Sequence, residues 1–198
     1  MVLTAFINSA PPPPPANNPY VSPVVTASAT NIDANWETYT LSVDLLGTAT
    51  NVYTIYGTAA SQLSIPAAYQ CATPFGANTG GTNSAFWAVA NNGALGYAQY
   101  DSWLTVGITG GDSNGDLSSI GLDFATWTDA SDLVSTDGAV FWMAPDNGPS
   151  TPAVIAQITV AAGFAGTATM GMQGRSAQAA TGGASTDWQA DSIAFAIP

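Results

Sequence analysis

Short segments in which apolar and polar residues alternate recur along the chain and predict β-strands. The clearest is 36–46, where Tyr39, Leu41, Val43 and Leu45 fall on one face. Further strands are predicted at 52–56, 63–65, 100–108, 117–124, 139–143, 153–160, 167–173 and 187–197. No apolar stripe of helical spacing persists for three turns. The pattern therefore predicts an all-β fold, an antiparallel β-sandwich of jelly-roll type with about eight to ten strands.

The turns between these segments predict local pairings and one long irregular stretch. Gly47 and the polar residues after it predict a hairpin that pairs 36–46 with 52–56. Residues 70–98 are rich in Asn, Gly and Ala and show no period. A loop of this length in a compact domain is uncommon unless it carries function or packs on itself.

The N-terminal end differs from the rest of the chain. Residues 1–10 are apolar, and Pro11 to Pro15 follow without interruption. Five consecutive prolines favour a stiff polyproline II rod. We therefore expect 1–23 to form an N-terminal apolar strand and Pro-rich spacer, and 24–198 to form the β-sandwich domain.

The charge of the chain excludes several classes of protein. The 198 residues include thirteen acidic residues, one arginine and no histidine, and the net charge is -12. A chain with a single basic side chain cannot neutralise a run of phosphates, so neither nucleic acid nor an anionic membrane surface is an expected partner. Lysine Schiff-base chemistry, histidine-dependent catalysis and His-ligated zinc are excluded as well. No apolar run approaches the roughly 18 residues of a membrane span, so no membrane insertion is expected.

Several segments resemble a β-rich module of unassigned function. They are VYTIYG, PFGANTGGTNSAFW, YDSWLTVGITGGD, LSSIGLDF, DGAVFWMAPDNGPS, VIAQITV and DWQADSIAF. The chain is similar, over 36–197, to modules of secreted, often multi-module proteins of marine bacteria and unicellular algae. The resemblance implies a secreted or cell-surface protein and carries no catalytic residues.

Enzymatic activity is not expected. Glycoside hydrolysis needs two carboxyl groups about 5–10 Å apart. Glu37 is the only glutamate and lies in a strand-like run, and nothing selects a second carboxylate to act with it.

One turn has the composition of a calcium site. Asp112, Asn114 and Asp116 alternate in a Gly-rich turn, and Asp123 or Asp101 can add a fourth oxygen ligand from a neighbouring strand. The alternative is a solvated hairpin tip, since Asp and Asn favour turns for local hydrogen-bonding reasons. A second acidic group, at Asp129, Asp132 and Asp137 with Asp146 beyond it, poses the same alternatives.

Exposed aromatic residues would suit a carbohydrate, because the apolar faces of sugars stack on aromatic rings. The candidates for such stacking are Trp87, Trp127 and Tyr97. The alternative is that most large aromatic residues fill the core.

Arginine and cysteine, like glutamate, occur once each in the chain. Arg175 is the only Lys or Arg and is expected to pair with a carboxylate rather than to bind an anion. Cys71 has no partner for an internal disulfide. It is expected to be a small buried residue, and the alternative is an intermolecular disulfide.

The leading hypothesis is a non-enzymatic, secreted structural protein that assembles with copies of itself into a filament, coat or surface layer. The apolar segment would donate a strand, through Val2, Leu3, Phe6 and Ile7, to a neighbouring subunit across the spacer from Pro11 to Pro15. One alternative is a carbohydrate- or surface-binding module with a calcium-ordered loop. Another is a viral jelly-roll capsid or fibre protein.

Overall fold

The computed structural model describes residues 18–177 and 187–198, and in this part the protein is all-β with two antiparallel sheets. Eleven strands are described, slightly more than the sequence predicts. The strands are β1 (Val21–Ala27), β2 (Trp36–Leu45), β3 (Thr54–Tyr56), β4 (Leu63–Ile65), β5 (Trp103–Leu104), β6 (Leu117–Ile120), β7 (Leu133–Ser135), β8 (Ala139–Trp142), β9 (Ala153–Ala161), β10 (Gly166–Arg175) and β11 (Asp187–Ile197).

The first sheet has four strands in the order β1-β2-β9-β5. The second has seven, in the order β6-β8-β3-β10-β4-β7, and β11 pairs with β10. Strands β3 and β4 pair with different parts of β10, at Gly171 to Gln173 and at Thr169. The long strand β10 thus organises the second sheet.

Helical segments are short. The α-helix α1 spans Trp87–Ala90, and 3-10 turns occur at Ser84–Phe86, Ala98–Tyr100, Phe124–Thr126 and Pro145–Asn147. No helix in the described part of the chain is long and apolar enough to cross a membrane.

The alternating pattern located the long strands correctly. Strand β2 has Tyr39, Leu41 and Val43 buried on one face, as predicted. The predicted strand 187–197 matches β11, and 153–160 matches β9 within one residue. Of the predicted strand 100–108, only β5 forms, because the Thr105 hydroxyl donates to the Ile108 carbonyl at 2.6 Å and closes a turn.

The predicted hairpin between 36–46 and 52–56 is wrong. Both sides of β2 are occupied, by β1 and by β9, while β3 lies in the other sheet between β8 and β10. The chain leaves β2 at Gly47, whose φ of 59° favours glycine and which has no room for a Cβ, since that atom would lie 2.9 Å from the Pro19 carbonyl oxygen. The chain therefore crosses between sheets instead of turning back.

One cluster of buried residues contains members of both sheets. Leu41 and Ile158 come from the first sheet, and Ile55 and Met172 come from the second. Trp188 joins this cluster, stacks on Tyr20 with 5.5 Å between ring centroids, and donates its indole N–H to the Asn51 carbonyl at 3.0 Å. Burial of these side chains is the main source of stability.

Strand β1 begins at Val21, three residues before the start predicted for the β-domain at 24. Pro23 lies within this strand, which is tolerated because β1 is at the end of its sheet.

Candidate functional site

An open groove of about 520 Å³ lies between the segments 74–86 and 110–113. Phe75 and Phe86 contribute aromatic rings, and the opposite wall includes Gly110, Gly111 and Asp112. Phe86 is 53% exposed although it is a large apolar residue. We call this depression the Phe groove. Its size falls within the range of small-ligand sites.

Two consecutive glycines place the groove walls close together. Gly80 and Gly81 both have a φ of 72°, and a Cβ on Gly81 would lie 2.7 Å from the Thr109 carbonyl oxygen. Only glycine allows this approach without strain. The next residue, Thr82, donates its hydroxyl to the Phe75 carbonyl at 2.8 Å and ties the two ends of the aromatic wall. Asn83 then accepts the Ala85 N–H and starts the 3-10 turn that carries Phe86.

A buried carboxylate anchors the groove from behind. Asp101 is 1% exposed, and its two oxygens accept the backbone N–H groups of Cys71 at 2.7 Å and Ala77 at 2.6 Å. Burial raises the pKa of Asp101 to about 7, although the backbone hydrogen bonds act to lower it. Because Ala77 lines the Phe groove, Asp101 is a positioning residue for one wall.

A second depression of about 320 Å³ lies beside the first. Its lining includes Trp87, Trp103, Gln99, Gln157 and Thr82, and we call it the Trp cleft. The Gln157 amide donates to the carbonyls of Gln99 and Asp101 at 2.9 and 2.8 Å, which fixes the cleft floor to β9. The lining has no charged side chain.

The three aromatic candidates for sugar stacking have different environments. Trp127 is 1% exposed and donates its indole N–H to the Pro66 carbonyl at 2.9 Å, so its prediction as a surface aromatic is wrong. Its ring belongs to the main buried cluster, where burial of so large an aromatic side chain is favourable. Tyr97 is half-buried, lines neither depression and donates its backbone N–H to the Tyr69 hydroxyl. Trp87 is half-buried and lines the Trp cleft.

The predicted calcium residues have local partners. Asp112 accepts the backbone N–H groups of Asp116 at 2.9 Å and Leu117 at 2.8 Å. Burial acts to raise the pKa of Asp112, but the amides of Leu117 and Asp116 outweigh it and lower the pKa below its usual value. The carboxylate therefore closes its own turn, as a hairpin-tip residue does.

The remaining ligand candidates are also in use. Asn114 donates its side-chain amide to Asp116 at 3.3 Å, and Asp123 accepts the Ala125 N–H at the start of the Phe124–Thr126 turn. Within 18–177 and 187–198, no group of three or more Asp, Glu, Cys or His side chains is placed to hold a metal ion. Calcium at this turn stays a prediction.

The acidic residues of the second group have different partners in the fold. Asp132 accepts the Ala67 N–H at 2.7 Å, and Asp137 accepts the Ser135 hydroxyl at 3.4 Å. Asp146 instead pairs with Arg175, whose guanidinium contacts Asp146 at 2.7 Å and Asp187 at 2.6 Å. The expected pairing of Arg175 is confirmed, with two carboxylates rather than one.

Cys71 is buried, as expected, with 8% of its surface exposed. Burial raises the pKa of the thiol, and the nearby Asp101 carboxylate adds to this effect. A buried thiol that stays protonated is a poor nucleophile.

We expect the Cys71 thiol to react with Ellman's reagent roughly tenfold or more slowly in the folded protein than in denaturant, because reaction requires local opening. The same protein in denaturant is the control. A native rate equal to the denatured rate, or a disulfide-linked dimer on a non-reducing gel, would contradict this expectation.

The predicted donor segment falls on residues that the structure does not describe. Val2, Leu3, Phe6, Ile7, Pro11 and Pro15 all lie outside 18–177 and 187–198. Strand donation is therefore untested.

No family model matches the chain, and no curated protein or solved structure is similar to it. The resemblance to secreted modules of marine bacteria and unicellular algae stays a prediction.

One sequence signal points to both depressions. From Leu45 to Tyr100 the chain contains no Asp, Glu, Lys or Arg, although its net charge is -12. This stretch supplies Phe75 and Phe86 to the Phe groove and Trp87 to the Trp cleft. It also supplies Thr82, which lines both depressions. The walls that this stretch supplies therefore carry no charged side chain, although the chain as a whole is strongly acidic.

Proposed function

We propose that the chain is a non-enzymatic, extracellular β-domain that binds a neutral carbohydrate in the Phe groove. The observation that carries the proposal is an exposed aromatic ring, Phe86, on the wall of a groove that is lined by apolar residues, glycines, uncharged polar groups and a single carboxylate, Asp112. Sugars present apolar C–H faces and hydroxyl edges, and such a surface complements both.

Charge favours a neutral ligand. The protein as a whole repels anions at a net charge of -12. Within the groove, Asp112 is the only charged side chain in the lining, and its oxygens accept two backbone N–H groups. A ligand without charge meets no repulsion there and leaves no ionic group unpaired.

The binding role also agrees with how the acids are placed. Asp101, whose pKa is raised to about 7, is buried behind the wall with both oxygens engaged, so it positions the groove instead of contacting a ligand.

The proposal includes a finer description of the fold, in which the two sheets face each other as a sandwich of jelly-roll type. The shared buried cluster supports this packing.

The proposal is tested on a glycan array that carries neutral, anionic and cationic saccharides, probed with calcium and with EDTA. We expect binding to neutral glycans that persists in EDTA, because the Asp112 turn is closed by its own amides. Loss of binding in EDTA would instead support calcium at Asp112, Asn114 and Asp116. No binding in either condition would refute the proposal.

A matched pair of variants locates the site. Phe86→Ala is expected to weaken binding of a positive glycan about tenfold, by removing the exposed ring. Ile120→Ala removes a side chain that is 65% exposed and lies on β6, away from the groove lining, and should leave affinity unchanged. Equal affinities for the two variants in titration calorimetry would place the ligand elsewhere.

The second candidate function is a self-assembling subunit of a filament, coat or surface layer. It is favoured by β6, which ends the strand order of the seven-stranded sheet and exposes Ile120. An unpaired strand edge can accept a strand from another copy. The proposed donor is the segment with Val2, Leu3, Phe6 and Ile7, beyond the spacer from Pro11 to Pro15.

Deletion of residues 1–15 separates this candidate from the first. The truncated protein should fold and stay monomeric if strand donation drives assembly. Polymers of the truncated protein in electron micrographs would rule the mechanism out.

A further inference from the structure

The Phe groove and the Trp cleft adjoin. Thr82 lines both depressions, and the neighbouring residues Phe86 and Trp87 face one depression each. Adjacent residues in this short helical region thus supply one ring to each depression. The segment from Leu45 to Tyr100, which supplies Thr82, Phe86 and Trp87, contains no charged residue.

The Trp cleft holds an unsatisfied donor. In the part of the chain that the structure describes, the buried Nε1 of Trp87 has no hydrogen-bond acceptor. Two more deeply buried indoles have paired donors, Trp127 with the Pro66 carbonyl and Trp188 with the Asn51 carbonyl. A buried donor without an acceptor costs about 1–3 kcal/mol, so a ligand hydroxyl that displaced the atoms covering Nε1 would offset this cost.

The cleft matches the chemistry of the groove. Trp103, which is 5% exposed, lies in its wall beside Trp87, and Gln99 and Gln157 add amide groups. Both depressions therefore combine aromatic rings with uncharged polar groups. Two adjoining sites of the same chemistry suit a ligand that repeats, and a polysaccharide chain repeats the same unit along its length.

We propose that the Phe groove and the Trp cleft are two subsites of one binding surface, and that this surface takes a neutral polysaccharide chain crossing at Thr82. The inference rests on the proposed carbohydrate function. It adds that affinity depends on chain length, because a short oligosaccharide fills one subsite and a longer one fills both.

The test uses titration calorimetry with trimers and hexamers of neutral glucans and xylans. The native protein should bind the hexamer about tenfold or more tightly than the trimer of the same sugar. Trp87→Ala should lower hexamer affinity by a larger factor than trimer affinity and so abolish this preference, whereas Phe86→Ala should weaken binding of both ligands. Ile120→Ala is the control, and circular dichroism verifies that each variant is folded.

A conservative variant shows whether the effect of Trp87→Ala comes from lost binding contacts or from a change in local structure. Trp87→Phe keeps an aromatic ring but removes the indole N–H, and it should reduce the preference for the hexamer several-fold. Equal affinity for trimer and hexamer in the native protein, or a preference that survives in both Trp87 variants, would overturn the two-subsite inference while the carbohydrate function stands. Absence of binding to every neutral glycan would overturn both.

Discussion

Replacement of Trp127 by alanine is expected to lower the free energy of unfolding by about 3–5 kcal/mol. Trp127 is 1% exposed and belongs to the main buried cluster, so its removal leaves a cavity the size of an indole. The Pro66 carbonyl also loses its donor. Urea unfolding followed by circular dichroism measures the change.

Two further variants show how much of this loss comes from the hydrogen bond and how much from the burial of the ring. Trp127→Phe keeps most of the ring volume and removes the hydrogen bond, so we expect a loss of about 1–3 kcal/mol. Trp36→Ala alters a half-buried tryptophan that packs edge-on against Tyr69, and it should cost less than Trp127→Ala. A Trp127→Ala protein as stable as the native one would show that the indole is not part of the core.

The free energy of unfolding is expected to fall as pH rises from about 4 to about 7, because the Asp101 carboxyl has a pKa of about 7 in the folded protein against 3.8 for the ordinary group. Below this window the group is protonated in both states. Within it, the unfolded chain releases the proton that the folded protein retains, so stability is lost up to the folded pKa and is constant above it. The loss amounts to at most about 4 kcal/mol.

Asp101→Asn isolates this contribution. The variant cannot titrate, so its stability should change less between pH 4 and 7 than that of the native protein. Asp129→Asn removes one exposed carboxylate and should keep the native slope. The pKa values of Asp112 and Asp187 are lowered, so these groups titrate below the window. Parallel stability curves for Asp101→Asn and the native protein would contradict the raised pKa.

The sequence predicted the long strands because their burial is one-sided and leaves a period of two. Strand β2 shows this pattern from Tyr39 to Val43, and β11 shows it with one interruption at Ser192. Strand β9 is instead buried on both faces over most of its length, and its apolar residues are what predicted it. Their partners were not predictable in the same way. The local turn at Gly47 suggested a hairpin, but pairing of β2 with β9 joins residues more than a hundred positions apart.

The candidate site was harder to predict than the strands. Trp87 and Trp127 are the same residue type, and only their neighbours in space make one half-buried and the other a core residue. The region of residues 70–98 has no period, and its shape depends on Asp101, a distant residue that accepts the Cys71 and Ala77 amides. Two features of the sequence point to this surface, the long irregular stretch 70–98 and the absence of charged residues from Leu45 to Tyr100.

The pairing of Arg175 with Asp146 and Asp187 also affects the susceptibility of the protein to proteolysis. Arg175 is the only residue after which a trypsin-like protease could cut. The peptide bond that follows is held on both sides, since the Arg175 carbonyl accepts the Thr50 N–H at 2.8 Å and the Ala177 N–H donates to the Thr48 carbonyl at 2.7 Å. A protease must release this backbone and withdraw the guanidinium from two carboxylates before cleavage. The folded domain therefore protects its single tryptic bond, and cleavage by trypsin requires this part of the chain to open first.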